Sequence, residues 1–234
     1  MNATITLYHS VSARSFRALW TLEELNVNYH LIMLDFPPRA HHKEFFEINP
    51  LGTVPALMTD GGLMTESAAI CQYLASKKPD SALTISEKEA DYPQYLNFLH
   101  YGEATLTFPQ TLVLRYRYFE TPERQLPSVA EDYSQWFISR SKLLDRALQD
   151  KDSMYLCGDR FTIADISVAY ALMLAEYVGL LDQCSERVQA YWQRLKQRPA
   201  YMKALKKEQE AAAAQGVSTQ PAPGFRPFQA KNND

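Results

Sequence analysis

Cysteine is scarce in this chain, and its placement excludes more than its number does. Cys71, Cys157 and Cys184 are the three present, an odd count at wide spacing, which is no disulfide framework. No Cys-x-x-Cys pair occurs, so neither a zinc knuckle nor a dithiol redox motif can be built. An excess of one charge sign is also missing. Lys and Arg number 24 against 27 Asp and Glu, a formal net charge of -3, and nothing in that balance draws a chain to nucleic acid or an anionic bilayer. The first residues lack the basic-then-apolar pattern of a secretory leader. The most apolar stretch, 166–181, is short and broken by Glu176 and by tyrosines, so it reads as buried helix and not as a membrane span. Together these absences predict a cytoplasmic protein with no metal, no nucleic acid and no membrane among its partners.

What is present is ordinary globular material. Hydrophobic residues make up 46% and charged residues 22% of 234 positions, enough for one large domain or two modest ones around a real core. Residues 1–78 alternate strand and helix patterns. Positions 4–8 are β-rich, and Leu19, Leu22 and Leu25 recur at helical spacing until Asn26, a residue that tolerates the left-handed cap. Positions 29–34 read as a strand apolar on both faces. Positions 54–58, Asp60-Gly61-Gly62 and positions 63–65 read as a hairpin with a tight turn, and 67–76 as a helix. The order is β-α-β, then β-β-α, which predicts a parallel pair with a crossover helix and an added antiparallel hairpin: a four-stranded mixed sheet with helices on its faces. Residues 79–90 form a polar, turn-rich linker. Residues 91–206 show long helical patterns and no strands, and predict a separate all-α helical bundle domain. Residues 207–234, with Pro221, Pro223, Gly224 and Pro227, predict an irregular surface tail on which Phe225 and Phe228 dock.

Three segments carry chemistry. In Asn49-Pro50-Leu51-Gly52-Thr53-Val54-Pro55-Ala56-Leu57, a proline opens an apolar strand. A cis Val54-Pro55 bond would leave the Val54 N–H and C=O free to pair with an extended peptide ligand; an ordinary edge strand begun by proline is the plainer reading. In Thr65-Glu66-Ser67-Ala68-Ala69-Ile70, Ser67 is placed to cap a helix whose free N–H groups suit a carboxylate, and Glu66 can pair with an ammonium group. Without a ligand, the same pair is an N-cap beside a surface acid. The loop Tyr8-His9-Ser10-Val11-Ser12-Ala13-Arg14-Ser15 lies at the carboxyl end of the first strand, where α/β folds place ligands. A serine hydroxyl there can donate to a thiolate and lower a thiol's pKa; simple helix capping is the alternative.

These segments resemble the cytosolic glutathione transferases of bacterial and fungal type. Residues 12–25, Ser-Ala-Arg-Ser-Phe-Arg-Ala-Leu-Trp-Thr-Leu-Glu-Glu-Leu, look like the family's first helix; Asn49 to Leu57 resembles its cis-proline segment; Glu66-Ser67 resembles its γ-glutamyl site. Gly158-Asp159-Arg160-Phe161-Thr162-Ile163-Ala164-Asp165 resembles its buried capping box, and Thr162 with Asp165 can satisfy each other's backbone donors while Phe161 staples onto Ile166. The resemblance implies a thioredoxin-like N-terminal domain, an α-helical second domain, a homodimer, and conjugation of glutathione to a hydrophobic electrophile. It implies that Thr53, Val54 and Pro55 hold the cysteinyl backbone, that Glu66 and Ser67 hold the γ-glutamyl group, and that Arg39, His41 or His42 meets the glycyl carboxylate. It puts the thiol-activating hydroxyl at Ser12 or Ser10, with Arg14 as an electrostatic helper, and Glu103 near the glutathione amine of a partner subunit. Tyr101, Phe108, Tyr116 and Phe119 are candidates for the electrophile pocket, against the plainer reading of helical aromatics as core. The loop has no cysteine, which argues against thiol-exchange members of the family. A regulatory relative without activity and a glutathione-dependent disulfide or peroxide reductase remain as alternatives.

Overall fold

A computed structural model describes residues 5–149 and 154–221. In β1 (Thr6–His9) Leu7 and His9 point inward and are fully buried, the period-two pattern of a strand with one face on a core. Chain direction then reverses through α1 (Phe16–Leu25). Asn26 closes it in the left-handed region at φ 49° and ψ 50°, and its N–H bonds the Glu23 carbonyl. β2 (His30–Met33) returns parallel to β1, and β3 (Ala56–Thr59) and β4 (Gly62–Met64) add antiparallel neighbours. The sheet order β2-β1-β3-β4 is the four-stranded mixed sheet of the thioredoxin-like fold. Thr59 pairs with Gly62, so Asp60-Gly61 is the two-residue hairpin turn. A short helix α2 (Pro38–His41) and a 3-10 turn (Lys43–Glu47) connect β2 to β3, and α3 (Ser67–Ser76) follows β4.

β2 is an edge strand and is less buried than its apolar sequence predicts. Its open side is met by a side chain. The Gln215 amide accepts from Met33 N–H at 2.8 Å and donates to the Leu31 carbonyl at 3.0 Å, filling two ladder positions that a further strand would occupy.

The second domain is helical: α4 (Tyr92–His100), α5 (Phe108–Leu114), α6 (Pro127–Ala147), α7 (Ile163–Tyr177), α8 (Glu186–Lys196) and α9 (Pro199–Ala214). α4 and α5 belong to one long run, joined by a π-helical segment at Tyr101–Thr107 and extended by another at Arg115–Phe119. α7 is the central helix, buried from Ile163 through Ala175. Its start carries the expected capping box: Thr162 Oγ1 accepts from Ala164 N–H, and Asp165 Oδ2 accepts from Thr162 N–H at 2.8 Å. Asp165 Oδ1 also accepts from Leu156 N–H and Tyr191 O–H. Phe161, expected to staple onto Ile166, sets its ring against Trp20 of α1 at 5.7 Å, so it joins the two domains. Trp20 in turn meets Tyr201 of α9 at 4.9 Å, and one continuous buried cluster runs from Leu7 to Ala204 through both domains.

The irregular tail begins later than predicted. α9 continues to Ala214, because 207–214 are strong helix formers and because Glu208 and Ala212 are buried against the first domain. Phe225 and Phe228 lie outside the described residues. Among the described residues no helix is long and apolar enough to cross a membrane.

Candidate active site

A cavity of about 510 Å³ lies between the domains. The loop after β1, the 36–39 turn and Thr53-Val54 form one wall; α5, the following π-helical segment and α7 form the other, with Pro221 at the rim.

Ser12 is in this wall. Its backbone is left-handed at φ 55°, a conformation that costs a side-chain-bearing residue roughly 1 kcal/mol. Long-range bonds hold it there. Ser12 N–H donates to Glu208 Oε2 of α9 at 2.9 Å, its carbonyl accepts from Tyr170 O–H at 3.3 Å, and its Oγ lies 3.2 Å from the Tyr177 hydroxyl. Below the loop, the His9 ring joins Ser15 Oγ at 2.6 Å to Glu208 Oε2 at 2.7 Å. Ser10, the alternative candidate, is fully buried and absent from the cavity wall, and its Oγ has no partner among the described residues. It directly follows β1 in the packed interior, whereas Ser12, two residues further on in the left-handed region, is part of the cavity lining.

Thr53 and Val54 line the cavity, and the Val54-Pro55 bond is cis. Val54 precedes β3, and its N–H and C=O have no partner among the described residues. The turn before it is braced by Asn49, which donates to the Thr53 carbonyl at 2.7 Å and accepts from Leu51 N–H. Gly52 is required at φ 59°, since a Cβ there would sit 2.8 Å from the Phe46 ring and 2.9 Å from Arg39 Cβ. Of the residues considered for a terminal carboxylate, Arg39 lines the cavity. His42 does not: its Nε2 accepts from Asp35 N–H at 3.0 Å and its ring braces the loop. His41 opens instead onto a neighbouring hollow.

Ser67 is the first residue of α3 and not its cap; Glu66 holds the cap position, is exposed, and makes no side-chain capping bond. The Ser67 hydroxyl is drawn inward by Arg17, whose Nη1 donates to it at 3.2 Å. Arg17 was legible only as part of a helix, yet it is fully buried. It donates to the carbonyls of Ser167 and Gly102 and to Thr107 Oγ1, pairs with Glu103, and lies 4.3 Å from the Tyr170 ring centre. Arg14 shares Glu103 at 3.0 Å, donates to Thr111 Oγ1 at 2.7 Å, and lines the cavity. Ser67, Arg17, Glu103 and Arg14 therefore form a continuous polar row that ends in the cavity. Both Glu103 oxygens are engaged within the chain, so a bond to a partner's ligand would have to use a remaining lone pair.

Of the aromatics expected around a second substrate, Phe119 is in the wall, with Phe36 at 5.7 Å. Tyr101, Phe108 and Tyr116 are not. Tyr101 is core, with its hydroxyl on the Arg140 carbonyl; Phe108 turns outward against Trp136; Tyr116 lies beneath the Arg115 guanidinium. The π-helical segments change the residues per turn, so uniform α-helical spacing assigns these rings to the wrong face. Tyr170 and Tyr177, two turns apart on α7, were missed; their seven-residue spacing on a largely apolar helix was the available signal. Burial pushes the Tyr177 phenol above its usual range, so it stays protonated. Burial also pushes the Cys71 thiol up, to about 11, and all three cysteines are buried. Among the described residues no group of His, Cys, Asp or Glu could hold a metal ion.

Comparison with known proteins agrees with this geometry. Residues 3–76 match the glutathione S-transferase N-terminal domain family and residues 114–208 the corresponding C-terminal domain family. The chain is 32% identical to glutathione S-transferase GstA of Escherichia coli O157:H7, over 86% of this chain and 98% of that protein. A sphingomonad glutathione S-transferase solved in complex with glutathione superposes with a TM-score of 0.74 at 27% identity, covering 87% of this chain and 98% of that one. The nitrogen regulation fragment of the yeast prion protein Ure2p superposes with a TM-score of 0.72 at 26% identity, covering 87% and 96%. With its mixed sheet, its helical partner domain and the cavity between them, the chain belongs to the glutathione S-transferase family.

Proposed function

We propose that this protein binds glutathione in the interdomain cavity and transfers its sulfur to a hydrophobic electrophile. The observation that carries this reading is that Ser12 lines one cavity with Val54, whose peptide groups have no partner among the described residues. Val54 N–H and C=O pair with the cysteinyl backbone of glutathione as an added strand would, with Thr53 and Pro55 shaping the approach. Glu66 takes the γ-glutamyl amine, and Ser67 with the α3 N-terminus takes its carboxylate. Arg39 and Arg14 supply positive charge for the glycyl end. Ser12 O–H donates to the sulfur, which favours the thiolate. The thiol proton leaves to solvent, a carbon–sulfur bond forms, and the electrophile's leaving group departs with its bonding electrons. Phe36, Phe119 and Tyr170 offer aromatic surface to the electrophile. The protein acts as a cytoplasmic homodimer in detoxification, and Glu103 adds to the partner subunit's glutathione site.

A second reading, a glutathione-binding regulator, draws on the similarity to the Ure2p nitrogen regulation fragment. A third uses glutathione itself to reduce disulfides or peroxides, consistent with the lack of a cavity cysteine. Calorimetric titration with glutathione tests the site. Wild type is expected to bind saturably, and Glu66→Ala, an exposed change that leaves the fold intact, to weaken binding at least roughly tenfold. No binding at millimolar glutathione would end all three readings. Turnover of electrophiles, disulfides or hydroperoxides by a binding-competent protein then separates them.

A further inference from the structure

Each polar group of Ser12 is held by a different residue. Glu208 takes its N–H and Tyr170 its carbonyl, and among the described residues Tyr177 alone touches the hydroxyl, at 3.2 Å. A serine hydroxyl has one proton to donate and two sites to accept. If that proton goes to a glutathione sulfur, the bond to Tyr177 persists only with the tyrosine as donor. We propose that Tyr177 is a positioning residue for thiol activation: its phenol donates to Ser12 Oγ and turns the serine O–H toward the glutathione sulfur. This rests on the reading that Ser12 activates the thiol.

The surroundings support that direction of donation. Tyr177 ends α7 and lines the cavity beside Tyr170. Its hydroxyl has no other partner among the described residues. Glu176 on its own helix and Glu208 on α9 act on it electrostatically, with Tyr170 and Tyr201 nearby. These carboxylates and the burial oppose a phenolate, so the group remains a donor across neutral pH. A donor feeding Ser12 also polarises the serine O–H, since hydrogen bonds in a chain strengthen one another. Tyr177 does not reach the sulfur itself in this scheme, and no proton is transferred to or from it.

The test is a double-mutant cycle of S12A and Y177F, read by titrating the thiol of bound glutathione through its thiolate absorbance. Y177F retains the ring, and glutathione calorimetry verifies that the site is folded. Expected is a raised thiol pKa in Y177F, with the thiolate fraction and kcat/KM on the acidic side falling roughly threefold to tenfold, the size of one hydrogen bond. Glutathione affinity measured below the pKa of the bound thiol should stay unchanged, and Y177F should add nothing in the S12A background. A shifted thiol in S12A with an unshifted one in Y177F overturns the role of Tyr177 and leaves the serine reading intact. So does an equal Y177F effect in both backgrounds, which would mean that the tyrosine acts elsewhere. An unshifted thiol in S12A overturns the serine reading, and this inference with it.

Discussion

At the scale of single residues, Arg17 carries the heaviest structural role in the site region. Its guanidinium, always charged, is enclosed by carbonyls, hydroxyls, the Tyr170 ring and Glu103, with its side chain 0% exposed. Five donors in a rigid fork match that shell, and a lysine ammonium would not. Replacement by methionine leaves Glu103 without its innermost cation and takes a donor from the Ser167 and Gly102 carbonyls and from the Thr107 and Ser67 hydroxyls. Arg17→Met is expected to cost about 3 kcal/mol of stability, measured as a lowered urea midpoint with unchanged slope. An unchanged midpoint would show that the site relaxes around the loss. Nothing in the sequence marks Arg17 as buried, because burial of a charge depends on partners contributed by α3, α7 and the π-helical segment. The Asn49 to Leu57 segment, by contrast, was singled out in the sequence by Pro55, because a proline acts on its own neighbours within a few bonds.

At the scale of elements, α1 and α9 form a charged clamp that ties the first domain to the end of the second. Glu23 sits between Lys203 and Lys207, and Glu24 is paired with Arg198. Burial pushes the Glu23 carboxyl up, but hydrogen bonds from Lys203, Tyr29 and Lys207 outweigh it and hold it below the ordinary range. An acid depressed in the folded state adds stability that is complete above its unfolded value of about 4.5 and lost as the pH falls through the folded value. Glu23→Gln should therefore be less stable than wild type at neutral pH, and the gap should close on acidification below pH 4.5. Unfolding curves at a series of pH values check this; a gap independent of pH would assign the loss to packing. The helices themselves follow from periodicity and caps, including Asn26 and the Thr162-Asp165 box. Which face a helix presents does not, as Tyr101 and Phe108 show, because two π-helical segments reset the angle between successive residues.

At the scale of the molecule, the domains share a core. Trp20, Phe161 and Tyr201 join α1 to the start of α7 and to α9 through one buried cluster, and Arg17 crosses the same boundary by hydrogen bonds. Backbone also crosses, with Ile163 N–H on the Leu83 carbonyl of the linker. The prediction is one cooperative unfolding transition, with far-ultraviolet and near-ultraviolet dichroism coincident in denaturant. Two separated transitions would show that the shared core is too weak to couple the halves.

The sequence by itself determined the class of fold, the family, the proline segment that carries Val54 and the box that starts α7. All of these rest on interactions between residues close in the chain, where dihedral preferences and side-chain capping act directly. Only the tertiary structure decided that Ser12 and not Ser10 faces the cavity, that Arg39 and not His42 lines it, and that Glu208, His9 and Tyr177 belong to the same site. Those choices depend on contacts between residues as much as 199 positions apart, and such contacts follow from how helices pack and rotate, which local spacing does not encode.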